Sequence, residues 1–234
     1  MRACLLLLAA AALLAGLAAG VPGAAGGPAP DVVQRPVTAQ EQRRVLDYWT
    51  PERMARAVPA DPLGAAAPVP VRLRALAWPG LIFPAVPHAV PLSAAARITG
   101  ARWAARGAVT RTTGRVFLSM GGRDFFCSAS AVRSSNRDLV VTAGHCVKDG
   151  PGAWAENWTF VPGYRDGHRP YGSFTARRMF VAGAWARTGD DDYDVGMVAL
   201  NTSGGRHLTD VVGAQEISFD ASRGRHAYGF GFPA

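Results

Sequence analysis

VVTAGHCV, residues 140–147, ends an apolar run with two small residues, a histidine and a cysteine. The run that starts at Leu139 reads as a strand. Ala143 and Gly144 leave room beside the backbone, so His145 is set immediately after the strand in a fixed place. A general base needs that fixity, and histidine suits the role because its unperturbed pKa lies near neutrality. The usual orienting partner of such a base is a buried carboxylate. Asp194, which opens the run DVGMVAL at 194–200, supplies one, whereas Asp190, Asp191 and Asp192 read as a solvated turn.

Outward from this point the chain reads as β-rich. RVFLSM and DFFCSASAV flank a glycine turn, GGR, which suits a hairpin. Further strands are expected at NWTFVPG (157–163), RRMFVAGAW (177–185) and DVGMVAL. Gly, Pro and Asp clusters separate them, and no convincing helix intervenes. About six short, closely spaced strands predict an antiparallel sandwich or barrel rather than a βαβ fold.

The front of the chain differs. Arg2 followed by ACLLLLAAAALLAGLAAG has the layout of a secretory signal peptide, expected to span residues 1–25. Residues 26–107 read as a pro-segment or linker. TAQEQRRVLDYW begins like a capping box at Thr38 and Glu41, and TPERMARAV restarts with Thr50 as N-cap and Pro51 at the first helical position, so two short helices are expected. Thirteen of the 17 prolines fall by residue 91, and the stretch 58–93 reads as an extended connector. Residues 1–120 hold 13 basic and 5 acidic side chains, and residues 121–234 hold 12 of each. The net charge of +8 therefore belongs to the front, where the arginines are spread out, which argues against a nucleic-acid surface.

Cys4 would leave with the signal peptide, and export leaves Cys127 and Cys146, which suggests one disulfide. The five histidines show no HExxH and there is no CxxC, so neither a metal nor any other cofactor is expected.

VVTAGHCV paired with YDVGMVAL about fifty residues later resembles the chymotrypsin (trypsin-like) family of serine endopeptidases. FVPGYRDG and PYGSF are similar to secreted bacterial members related to glutamyl endopeptidases. The resemblance covers about residues 108–234, read as the peptidase domain. It implies an all-β, double Greek-key barrel fold, with the first barrel present and the second largely missing. It also implies His145 as general base, Asp194 as the group holding its tautomer, and a Cys127–Cys146 disulfide. The family's nucleophilic serine sits in a GDSGG loop, which this sequence lacks. Ser203, in NTSGGR, lies only nine residues after Asp194 and is rejected as the nucleophile. GAQEISF and GRHAYGFGF look like opening strands of the second barrel. The expectation is a secreted, monomeric serine endopeptidase precursor, C-terminally incomplete and inactive as it stands. Its partners would be a polypeptide substrate and its own pro-segment, cut between about Arg102 and Arg111, with no membrane contact once the signal is removed. The alternative is a non-catalytic secreted binding module or pseudoprotease.

Overall fold

The computed structural model describes residues 31–60, 101, 103, 107–222 and 228–232. The signal-peptide reading and most of the proline-rich connector fall outside the described residues. In chain order the elements are β1 (Val32–Pro36), α1 (Ala39–Tyr48), α2 (Pro51–Arg56), β2 (Val58–Pro59), α3 (Val109–Thr112), β3 (Thr113–Met120) and β4 (Arg123–Val132). There follow β5 (Leu139–Thr142), β6 (Glu156–Pro162), β7 (Phe174–Ala182), α4 (Gly183–Thr188), β8 (Gly196–Leu200) and α5 (Leu208–Val212). Tight 3-10 turns occupy Gly144–Cys146 and Asp191–Tyr193.

Six strands close into an antiparallel barrel in the ring order β3-β4-β5-β8-β7-β6 and back to β3. β6 lies beside β3 after the β3-β4-β5 meander, which is a Greek-key arrangement. The expected β3–β4 hairpin forms with Met120 opposite Arg123, and Gly121 and Gly122 take the positive φ values, 57° and 76°, that its two-residue loop requires. Val116, Leu118, Val140, Phe160, Phe174, Met179 and Val198 fill the interior, each fully buried.

Three sequence expectations change. RRMFVAGAW does not stay extended to 185: β7 stops at Ala182 and α4 takes over, closed by Gly189 in the left-handed region. In a strand, neighbouring side chains point to opposite faces, whereas the helical turn lets Trp185 and Ala186 both reach the core. GAQEISF forms no strand of a second barrel. Gln215 instead bridges to Val132 of β4, its N–H donating to Ala131 O at 2.8 Å and its carbonyl accepting from Arg133 N at 2.9 Å. The described part of GRHAYGFGF, residues 228–232, is irregular.

The third change concerns residues 31–60. Both expected helices form, with Thr38 Oγ1 accepting from Glu41 N and Thr50 Oγ1 from Arg53 N. The sequence reading missed β1, which pairs antiparallel with β7 along its whole length, from Val32 opposite Ala182 to Pro36 opposite Arg178. It also missed a second core: Val45, Trp49, Met54 and Ala57 pack on Phe117, Phe126, Val161 and Tyr164. Val116 and Leu118 point into the barrel while Phe117 points out, so β3 is buried on both faces. That is why RVFLSM shows no polar alternation.

Candidate active site

The site is assembled where β5 and β8 end. Their register places Thr142 opposite Gly196, and continuing that antiparallel count by two residues sets Gly144 opposite Asp194. The 3-10 turn then turns His145 back over the carboxylate. Asp194 Oδ1 accepts the backbone N–H of His145 at 2.7 Å, and Oδ2 lies 2.7 Å from His145 Nδ1. A carboxylate only accepts hydrogen bonds, so Nδ1 carries the donated proton, and in the neutral imidazole Nε2 is the bare nitrogen. The two side chains are 23% and 22% exposed, enough for a reactant to reach the imidazole.

Three contacts hold the turn. Cys146 is disulfide-bonded to Cys127 of β4, nineteen residues away in sequence. Thr142 Oγ1 donates to Ser128 O at 2.7 Å. Trp185 Nε1 donates to Lys148 O at 2.8 Å, and the indole packs beside Gly144. Lys148 itself is buried, its ammonium donating to Gly150 O and Gly152 O, and burial holds its pKa below the ordinary lysine range. In the chain-entropy picture, closing a loop of this size stabilises the fold by about 3 kcal/mol. Replacing Cys127 and Cys146 together by alanine is expected to lower the unfolding free energy by roughly that amount, read from the denaturation midpoint.

Gly144 is required by contact, not by its backbone angles. A Cβ there would lie 2.8 Å from Asp194 Oδ1 and 2.9 Å from Trp185 Cδ1. Gly144→Ala is therefore expected to push the carboxylate off His145, abolish the low-field proton resonance of Nδ1–H and destabilise the fold by about 1–3 kcal/mol. Gly107, whose Cβ would meet nothing within 4 Å, is the control. Gly107→Ala should leave the resonance unchanged and stability within about 0.5 kcal/mol.

His145 opens onto a cavity of about 1090 Å³ whose wall includes Cys127, Ser128, Cys146, Arg115, Tyr164, Trp103 and Phe230. The Arg115 guanidinium stacks 4.0 Å from the Phe126 ring centroid and 5.4 Å from that of Tyr164. Its pKa is held below the usual arginine range by desolvation, yet it stays cationic and places positive charge in this wall. Ser128 Oγ accepts from Phe232 N at 2.7 Å. Ser203 does not line the cavity. It sits in a turn closed by two backbone hydrogen bonds with Arg206, its Oγ directed toward Gly172. Cys127, His145 and Cys146 bring ligand-type atoms within 4.8 Å of one another, but the disulfide consumes both sulfurs, so neither can act as a thiolate ligand.

The sequence reading missed Trp185, Arg115 and Ser128. The only available signal was that Ser128 follows Cys127. Trp185 reaches the histidine turn through α4, and Arg115 faces the cavity from β3. Among the described residues, no helix is long and apolar enough to cross a membrane.

A family profile described as Trypsin matches residues 100–232. An extracellular metalloprotease of Bacillus subtilis (strain 168) is 37% identical over 70 residues, which are 30% of this chain and 22% of that protein. Among solved structures, protease Anisep from Arthrobacter nicotinovorans is 40% identical with a TM-score of 0.48, covering 50% of this chain and 54% of that one. The thermostable serine protease AL20 from an extremophilic microorganism is 38% identical with a TM-score of 0.48, covering 50% and 56%. The chain thus spans about a fifth of the curated relative and little more than half of these solved structures.

Proposed function

The chain belongs to the trypsin family, and on that premise we propose that it carries the histidine and aspartate of a secreted serine endopeptidase whose nucleophilic serine lies outside these 234 residues. The observation that supports this most is the double engagement of Asp194 by His145, through the backbone N–H and through Nδ1. With Nδ1 held in this way, Nε2 faces the reaction. It takes the proton of the serine hydroxyl as the oxygen attacks the peptide carbonyl, and then returns it to the leaving amine. Asp194 holds the tautomer and stabilises the imidazolium formed between those steps. The substrate is a polypeptide laid along the cavity beside His145, and no cofactor enters the reaction.

Secretion rests on the leader-like residues 1–25 and agrees with the disulfide. Residues 26–107 then precede a peptidase domain spanning 108–234.

Labelling with a serine-directed phosphonate tests the reading. The longer product that supplies the serine should be labelled, its His145→Ala variant at least about 10³-fold more slowly, and the 234-residue chain not at all. Labelling of the 234-residue chain would place the nucleophile within it. Equal labelling of the His145→Ala variant would remove the histidine from the mechanism and favour a non-catalytic module.

A further inference from the structure

We propose that residues 31–60 are a permanent, non-covalently held part of the folded protein and stay bound as a separate chain once the connector after Ala60 is cut. The inference does not depend on the role given to His145.

Four observations carry it. First, β1 adds a strand to β7 across five residue pairs, and the pairing is extended at both ends by Gly183 N to Asp31 O at 2.8 Å and Val37 N to Arg177 O at 3.0 Å. Pro36 fits there because an edge strand tolerates a missing donor. Second, Val45, Trp49 and Met54 are at most 2% exposed, buried against Phe117 and Phe126 of the barrel. Release would expose that aromatic face to water. Buried tryptophans at the centre of a contact surface carry a large share of its binding energy.

Third, polar contacts cross between segment and barrel. Arg35 donates to Ala155 O at 2.8 Å, and Trp49 Nε1 donates to Asn157 O at 2.5 Å. Asp124 accepts from both Tyr48 Oη and Arg53 Nε. Arg169 returns a bond to Trp49 O at 3.1 Å. Fourth, the segment leaves the barrel along β4, where β2 pairs in parallel with Phe125 and Phe126 and Ala60 N donates to Phe126 O at 3.0 Å. Pro59 and Ala60 then form part of the wall of the His145 cavity. A pro-segment that dissociated would take with it an edge strand, half of a hydrophobic core and a piece of this cavity.

A recognition sequence for a site-specific protease, inserted between residues 61 and 100 of the full chain, tests the proposal. After cutting, the N-terminal piece should co-elute with the barrel one to one on native size exclusion at about 1 μM, where a complex with a micromolar Kd would be more than half dissociated. It should separate only in denaturant. Cut Trp49→Ala protein should lose the piece under the same conditions. Separation of the piece from the cut, otherwise unaltered protein overturns the proposal, whether the barrel stays in solution or precipitates. Hydrogen exchange on the uncut chain gives a second reading. β1 amides should be protected within about tenfold of the β7 amides they face, and exchange about 100-fold faster or more would also overturn it.

Discussion

Under the proposed mechanism, Asp194→Asn, made in a chain extended to carry the serine, is expected to lower kcat by about 10⁴-fold with little change in KM. The reason lies in how the two carboxylate oxygens are used. Oδ1 accepts from the His145 backbone N–H, which can only donate, so the amide oxygen of the asparagine must take that position. The amide NH2 then faces His145 Nδ1, where Oδ2 stood. A donor there makes Nδ1 the acceptor and moves the ring proton to Nε2, the nitrogen proposed to take the serine proton. The shape of the site survives and its tautomer is wrong. Steady-state kinetics on a peptide substrate check the fold-change, and the low-field Nδ1–H resonance should vanish even in the 234-residue chain. A loss of less than about tenfold would reduce the His145–Asp194 pair to a structural contact.

Trp49→Ala should be the most destabilising single change in residues 31–60, at about 3–5 kcal/mol. The indole is 2% exposed, its centroid 5.4 Å from that of Phe117 and 5.2 Å from that of Tyr48. Truncation leaves a cavity between α1 and the barrel and strands the Asn157 carbonyl, which costs roughly another 1 kcal/mol. A melting temperature about 10 °C lower is expected by calorimetry. A drop of under about 1 °C would show that the segment contributes nothing to the stability of the barrel. Trp49→Phe, which keeps most of the volume but not the donor, should fall between.

Legibility in the sequence followed the range of the interactions involved. The GGR hairpin, the two N-caps and the strand leading into His145 were readable because each depends on residues within a few positions of one another. The switch from β7 to α4 was not, because GAW satisfies a strand pattern equally well and only the core shows that Trp185 and Ala186 must point the same way. β1 was hidden for a related reason: VVQRP is short, ends in proline and offers its hydrogen bonds to a strand about 145 residues later.

By itself the sequence determined the histidine turn, the candidate aspartate, the cysteine pair and a β-rich domain with the chymotrypsin-like pattern, since residue types at short spacings carry those signals. Only the tertiary structure decided that Gly144 stands opposite Asp194 with no room for a side chain, and that Trp185 supports the turn. It also decided that residues 31–60 pack against the barrel, through β1 on β7 and a second hydrophobic core. These are matters of register and of which surface covers which. Both are set by packing between segments far apart in the chain, and no local pattern records them.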